Sequence, residues 1–555
     1  MGEKASSKGF VIQIPQKNKA RAENVTKRVG QTGTTMSGSR LLKGTFILTA
    51  AGIVVKFIGS LNWIILSRVL GGEGIGIYQM AFPLYLLALS VSSAGIPVAI
   101  SIITAEKLAF FDYRGAARTF KISLALLVIT GLAMSLLLYF GAGWLIKYQI
   151  IRDGRAYYAL VALSPAIFLV TILSSFRGYL QGWQVMTPTA VSQIVEQLFR
   201  VATMLIFATL LLPRGLEFAA GGASLGAGAG AAAALLVLIC YLKKMVNARS
   251  QSKERSLVQE STASIIRRMA KLAIPISLSS IMLPLVANLD LLVVPLRLEH
   301  AGFSVAQATE LFGYLTGMSV PLVNLATIFT AALATSLVPA ISQLYSLGEM
   351  QEVLQQIAGA MRLANITTIP FGVILLVLGQ PIVSVLYHAP GAGGATRVMA
   401  AGVFLLGIHQ VTTGVLQGLG RTAIPVINMV ISAIFKVGLT WVLTAMPNLG
   451  IQGAAFATLA DFGVAAALNL YFIHRYTRFF IGGRELSKNI AAGILMAIVM
   501  HFGYGLLVAV LINPLLAIGM TLLCGGLVYG GIMFVLGGIN SRDIARIPFI
   551  GTMLK

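Results

Sequence analysis

Apolar residues run through this chain in stretches long enough to cross a bilayer, separated by short breaks rich in Gly, Pro and charge. Fourteen such runs can be read, six of them at 41–69, 77–104, 119–142, 157–181, 188–212 and 219–242. After a longer break come 270–297, 311–340, 358–382, 397–417, 425–446, 451–473, 488–511 and 514–537. A spanning helix needs roughly 20 mostly apolar residues at about 1.5 Å each, and each run supplies them. None shows the apolar–polar alternation over about ten residues that marks a barrel strand. The pattern predicts an all-α polytopic membrane protein with about 14 transmembrane helices.

Composition agrees with the pattern. Hydrophobic residues make up 57% of the 555, charged residues 11%, and mean hydropathy is +0.86. A soluble domain is nearer to about a quarter charged, so the bilayer must act as the solvent. The polar, basic, non-periodic residues 1–40 read as a disordered cytoplasmic tail and not as a signal peptide, since no short apolar core precedes the first run. Both cysteines, Cys240 and Cys524, fall within runs, so no disulfide framework is implied.

Charge gives the orientation. Of 41 Lys and Arg, 30 lie in or beside the segments that are inner when the N-terminus is inside, and only seven on the other side. Cations favour the cytoplasmic side, so both termini are expected there. The net charge of +23 then reflects this bias and attraction to anionic membrane lipids. With no separate soluble domain, it does not indicate a nucleic-acid surface.

The remaining four cations, Lys56, Arg177, Arg200 and Lys436, stand inside runs. A cation facing lipid at mid-depth costs at least about 2.5–3.5 kcal/mol, so each should meet a partner or a wet cavity. Two of them belong to an internal repeat. Leu180-Gln181-Gly182 precedes Arg200, and Leu416-Gln417-Gly418 precedes Lys436, the cation standing 18 residues after the Gly in both cases. Pro188 and Pro425 open the following runs, and Ala99-Ile100-Ser101 has its counterpart in Ala340-Ile341-Ser342. Two parallel six-helix repeats are expected, an N-lobe at 41–242 and a C-lobe at 270–474. A basic cytoplasmic linker at 243–269 joins them, and 475–555 adds helices 13 and 14 with a short tail.

Glu196, Asp290 and Asp461 are the anions available to these cations, as charge-pair or ion-coupling residues. Glu196 stands one helical turn from Arg200, either as a structural pair or as part of a site. Arg177, near a helix end, either snorkels to helix-end carbonyls or reaches substrate. Arg68 and Arg297, at outer helix ends, read as interfacial anchors or as substrate contacts near the mouth. Lys56 and Lys436 have no opposite charge within a turn or two on their own helix, which points them at a cavity. His300, His388, His409, His474 and His501 form no spaced ligand set, and no Walker loop appears. His409 reads as a satisfied buried polar residue. Neither enzyme chemistry nor a cofactor or metal is expected.

The stretch FRGYLQGWQVMTPTAVSQIVEQLFRV (176–201) resembles the polysaccharide-biosynthesis transporters of endospore-forming bacteria, the stage V sporulation protein B and YtgP group. So do LLKGTFILTAAGIVVKFIGSLNWIILSRVLGGEGIGIYQMAFPLY (41–85), AGIPVAIS (94–101) and DYRGAARTFK (112–121). The resemblance runs from about Leu41 to the end and places the chain in the multidrug/oligosaccharidyl-lipid/polysaccharide flippase superfamily. It implies two lobes around a V-shaped cavity, alternating access, and a polyprenyl-diphosphate sugar as cargo, most plausibly a lipid-linked peptidoglycan precursor. It also implies that the last two helices form a groove for the lipid tail. Lys56, Arg200 and Lys436 would hold the diphosphate, with Arg68, Arg297 and Arg177 assisting. Two other readings stand beside this one. An ion-coupled drug exporter would use Asp290, Glu196 or Asp461 for Na⁺ or H⁺, and a scaffold would dock the cell-wall synthesis machinery.

Overall fold

The computed structural model describes residues 34–93, 95–247, 260–480, 482–511 and 513–538. The predicted basic tail, except 34–40, much of the linker and the last 17 residues lie outside the described residues. Helices make up nearly all the rest. In chain order they are α1 Thr34–Ser93, α2 Ile96–Ala109, α3 Tyr113–Lys147, α4 Tyr157–Gly182, α5 Thr187–Leu211, α6 Leu216–Asn247 and α7 Thr262–His300. They continue with α8 Val305–Gly313, α9 Val320–Ala326, α10 Ile328–Ser346, α11 Met350–Tyr387, α12 Gly393–Gly418, α13 Ala423–Leu443, α14 Ile451–Thr477, α15 Gly483–Val510 and α16 Pro514–Val535. Thirteen stretches among the described residues are long and apolar enough to cross a membrane. The first of them, Ala50–Ala109, takes in most of the first run and all of the second.

α1 reverses direction at Gly71, whose φ of 68° and ψ of −176° lie outside the helical region. A left-handed φ of this kind is open to Gly and costly for residues with a Cβ. The chain therefore goes from one passage to the next with almost no loop. Gly95, φ 62°, separates α1 from α2 in the same way. A Cβ at Gly95 would also lie 2.3 Å from the Ala273 carbonyl oxygen, so α7 packs against bare backbone there.

The eighth run, 311–340, is not one helix. α8 passes into a π-helical turn at Tyr314–Ser319, then α9, and a break at Thr327 precedes α10. Irregular backbone at membrane depth is tolerated where it is packed in protein or lines a cavity, and π-turns often mark such places. Ser319 Oγ uses the freed geometry, donating to the Tyr314 carbonyl at 3.0 Å and meeting Thr396 Oγ1 at 2.8 Å.

Large apolar side chains point outward, among them Phe140, Leu527 and Val535, the last 83% exposed. That is inverted for a protein in water and correct for one in lipid. The two LQG units occupy like positions. A Cβ at Gly178 or Gly182 would come within 2.5–2.8 Å of the Pro97 and Ser101 carbonyl oxygens. One at Gly414 or Gly418 would come within 2.5–3.1 Å of those of Ala334 and Val338. In both halves of the chain a small-xxx-small face thus lets the LQG helix lie directly on the end of its neighbour. α15 and α16 pack on α11 through a separate core of Leu378, Ala492, Met496, Met500 and Tyr529.

Candidate functional site

α5 carries the first charged group. It lies so close to α6 that a Cβ at Gly226 would be 2.6 Å from the Arg200 carbonyl oxygen, and one at Gly230 would be 2.5 Å from that of Glu196. The glycine-rich stretch 221–234 therefore fixes the depth of the Glu196–Arg200 turn. Within it, 222–226 has the spelling GxSxG, but Ser224 is buried in mid-helix and donates to the Ala220 carbonyl at 2.9 Å. A nucleophile elbow needs a strand-to-helix turn, which is not the setting here.

Glu196 bridges two arginines. Arg200 Nη2 donates to its Oε1 at 2.8 Å and Arg177 Nη2 to its Oε2 at 2.7 Å. Arg177 also donates to Ser192 Oγ at 3.2 Å. Arg200 Nε is buried without a partner among the described residues. The group as a whole carries one surplus positive charge. Lys56 stands nearby in depth. Gly59, one turn along α1, would place a Cβ 3.2 Å from Gln197 Nε2, level with the Glu196 turn. Lys56 shares its helix face with Ser60 and Trp63, and Trp63 Nε1 donates to the Gly317 carbonyl of the π-turn. That face is therefore turned toward the second half of the chain. Lys56 is exposed and has no ion-pair partner among the described residues.

The second half holds a cavity of about 1120 Å³. It runs between α1, α7, the broken α8–α10 helix, α12, α13 and α14. Lys436, 5% exposed, lies at its wall, and its Nζ sits 2.5 Å from Asp290 Oδ2 on α7. One turn before Lys436, Ser432 Oγ donates to Asp461 Oδ1 at 2.5 Å. Lys436 therefore does not project free. Its ammonium pairs with Asp290, while Asp461 is held by Ser432 one turn away, so two acidic side chains and one basic one stand at this wall.

Arg68 and Arg297 lie at the face that also carries Gly71, Arg152 and Glu299, called outer after the charge bias. Arg68 donates to the Leu386 and Val385 carbonyls, both at 2.7 Å, filling the open acceptors at the end of α11. Arg297 donates to the Trp441 carbonyl at 2.8 Å, with its guanidinium 4.5 Å from the Trp441 ring. Sequence reasoning missed the ion pair beside them. Arg152 Nε donates to Glu299 Oε1 at 2.9 Å, joining the loop after α3 to the end of α7. That bond raises the Arg152 guanidinium above its ordinary value. Thr309 Oγ1 on α8 donates to Asp153 Oδ2 at 2.8 Å. Burial opposes ionisation of Asp153, yet the bonds from Arg155 and Thr309 outweigh it and hold its carboxyl below the ordinary value. The halves also meet backbone to backbone at this face, where a Cβ at Gly313 would lie 2.3 Å from the Gly72 carbonyl oxygen. The outer ends of the two halves are closed on each other.

Among the described residues no group of three or more His, Cys, Asp or Glu could hold a metal ion.

Residues 41–345 match the family model described as polysaccharide biosynthesis protein, and residues 315–442 match the one described as MatE. Stage V sporulation protein B of Bacillus subtilis (strain 168) is 31% identical over 94% of this chain and 100% of its own length. Lipid II flippase MurJ of the same organism is 25% identical, over 79% of this chain and 83% of its own. Among solved structures, lipid II flippase MurJ in an inward closed conformation superposes with a TM-score of 0.67 at 16% identity, covering 90% of this chain and all of that one. An inward-facing multidrug resistance MATE family transporter gives 0.62 at 16% identity, over 76% and 94%. These likenesses bear on the fold, an all-α membrane architecture, while the match to the family model and the 31% relative bear on descent. The chain belongs to the polysaccharide biosynthesis protein family, in its stage V sporulation protein B branch within the multidrug/oligosaccharidyl-lipid/polysaccharide flippase superfamily.

Proposed function

We propose that this protein is an alternating-access flippase for a polyprenyl-diphosphate-linked sugar of the peptidoglycan-precursor kind. It moves this lipid from the inner to the outer leaflet of a bacterial cell membrane, with both chain termini cytoplasmic. Residues 41–242 and 270–474 act as two lobes, and α15 and α16 form an appended groove for the lipid tail. The observation that carries this reading is Lys56, an exposed cation inside an apolar run, without an ion partner among the described residues and on the helix face that meets the other half. Facing lipid it would cost at least about 2.5–3.5 kcal/mol, whereas beside a diphosphate it is compensated. Arg177 and Arg200 stand at the adjoining helices with only one carboxylate between them. The first half thus offers three cations against one anion to a multivalent anion.

The match of 315–442 to the MatE model keeps a cation-coupled drug exporter as the second reading, with Na⁺ or H⁺ at Asp290 or Asp461. Lys436 speaks against it, because its ammonium already occupies Asp290 and a coupling ion would have to displace it. Purified protein in liposomes with a fluorescent lipid-linked precursor separates the two. Flipping lost in Lys56→Gln and kept in Asp461→Asn supports the flippase. Flipping untouched by Lys56→Gln, together with dye efflux that depends on Asp461, refutes it.

A further inference from the structure

The surplus cations lie in the first half, yet the large cavity lies mostly in the second, and its wall has a different chemistry. Along α12, His409, Gln410, Thr413 and Gln417 all line it, spaced as one helix face. None of them is charged in the way a phosphate site requires. What they share is hydrogen-bonding capacity left unspent by the protein.

Gln410 Oε1 accepts from Thr330 Oγ1 at 2.6 Å, and the bond holds the side chain so that its two amide N–H groups have no partner among the described residues. Thr413 Oγ1 accepts from Asn469 Nδ2 at 3.0 Å, which leaves its own O–H to donate. Asn469 is in turn held by Asn428 Nδ2 at 2.8 Å. His409 Nδ1 is buried behind this wall without a partner among the described residues. Gln417, near the inner end of the helix, is exposed and makes no side-chain bond to any described residue. A polar group buried for stability alone would be paired, since leaving it unmade costs more than the bond contributes. Here Thr330 and Asn469 hold Gln410 and Thr413 so that the Gln410 amide N–H groups and the Thr413 O–H remain unspent at the cavity wall. Phe82 and Phe462 line the same space and supply apolar ring faces.

Planar amides and a hydroxyl beside aromatic rings suit a neutral, polyhydroxylated ligand. We infer that the α12 stripe is a glycan subsite, which binds the uncharged sugar of the cargo while the cations of the first half hold its diphosphate. The inference rests on the flippase reading and adds to it a source of selectivity. A site built to hydrogen-bond hydroxyls discriminates against a ligand that lacks them, because its own buried groups are then left unpaired. The protein should therefore distinguish a glycosylated carrier from the bare carrier diphosphate.

The test uses the full chain in nanodiscs and two probes, undecaprenyl diphosphate and undecaprenyl diphosphate bearing a disaccharide, with binding read by native mass spectrometry. The unmodified protein is expected to prefer the glycosylated probe by at least about tenfold, one hydrogen bond's worth of discrimination. Gln410→Met and Thr413→Val should reduce that preference roughly tenfold while changing affinity for the bare diphosphate less than about twofold. Gln417→Met breaks no bond within the protein and carries the same test where Gln410→Met does not fold. A preference unchanged in all three variants, with both lipids bound, overturns the subsite and leaves the flippase reading standing. Failure of the unmodified protein to bind either lipid overturns both.

Discussion

The Asp290–Lys436 contact permits a prediction whose size can be worked out. At 2.5 Å and an effective dielectric constant of about 20, the gross attraction is about 7 kcal/mol. Desolvating two ions offsets several kcal/mol each, so the pair as a whole adds little net stability. Removing one partner is another matter, since the remaining charge keeps its desolvation penalty, and the expected loss is about 3–5 kcal/mol. That is about two to four orders of magnitude in an equilibrium constant. The two single changes should differ. Lys436→Met leaves Asp290 and Asp461 as neighbouring acidic groups with no cation paired to either. Asp290→Asn leaves Lys436 with Asp461, which Ser432 holds within a turn of it. Lys436→Met should therefore lower membrane abundance and the unfolding midpoint in detergent more than Asp290→Asn. The neutral double variant, Asp290→Asn with Lys436→Met, should recover most of the loss and most of the transport. Fluorescence-detected size exclusion after heating measures the first two, and liposome flipping the third. The reasoning fails if the single variants rank the other way, or if the double variant is no better than Lys436→Met. A double variant that folds but does not transport would return Lys436 to the substrate path.

For Lys56 the expectation is about function and not stability. Lys56→Gln should reach the membrane at normal levels and fail to rescue a strain lacking this activity, while Lys56→Arg keeps the charge and part of the rescue. Glu196→Gln should leave Arg177 and Arg200 as an uncompensated pair of cations, lowering abundance, and Arg177→Gln in the same chain should restore it in part; immunoblots of membrane fractions decide this. The Arg152–Glu299 pair is partly solvent-exposed and contributes at most about 1 kcal/mol, so Arg152→Ala should open the outer closure only up to about fivefold. Labelling of Gln79→Cys by an impermeant maleimide, in a chain with Cys240 and Cys524 replaced, measures that opening, and no change would remove the pair from the closure. A chain beginning at Met36 should insert and transport normally, since residues 1–35 offer no apolar face to bury. Loss of transport at normal membrane levels would assign those residues a docking role.

Most of the helices were legible from the apolar runs because a bilayer imposes length and hydropathy together. Two departures have clear causes. The first two runs meet at Gly71, which turns the chain within a single residue where GGEGIG reads as a loop, and Gly95 interrupts the second run. The eighth run breaks into three helices and a π-turn, yet its composition stays apolar throughout, so hydropathy carries no trace of the breaks. The charges divide in the same way. Glu196 and Arg200 were readable as a pair because they are four residues apart on one helix. Arg177 joins them from 19 residues away through the packing of α4 beside α5, and Lys436 meets Asp290 across 146 residues. Spacing along a helix reports only neighbours on that helix. Arg68 and Arg297 were placed correctly at helix ends, but their partners are backbone carbonyls, which every residue carries and no sequence pattern singles out.

On the flippase reading, one helix must reconcile the two halves. The inner part of α7 is tied to the first half, where Ile265 and Met269 share a core with Ile100, Ile103 and Tyr179, and Arg268 pairs with Glu106. Its outer part is tied to the second, where Asp290 meets Lys436 and Arg297 meets Trp441. Relative rotation of the halves would therefore be absorbed between Ala273 and Asp290. Pro275 and Pro284 fall within that interval. Each removes one backbone donor from the helical ladder and so lowers the cost of bending there. Asn288 Nδ2, donating to the Pro83 carbonyl at 2.9 Å, is a contact between α7 and α1 inside the same interval, so it would be strained or broken as α7 bends. The charged groups lie on either side of this bend, Arg177, Glu196, Arg200 and Lys56 in one half and Asp290, Lys436 and Asp461 in the other. Bending would thus change the distance between a surplus positive group and a surplus negative one. An anionic headgroup lodged against the first half screens their attraction, and its departure restores it, which gives cargo a direct physical hold on the rotation that carries it.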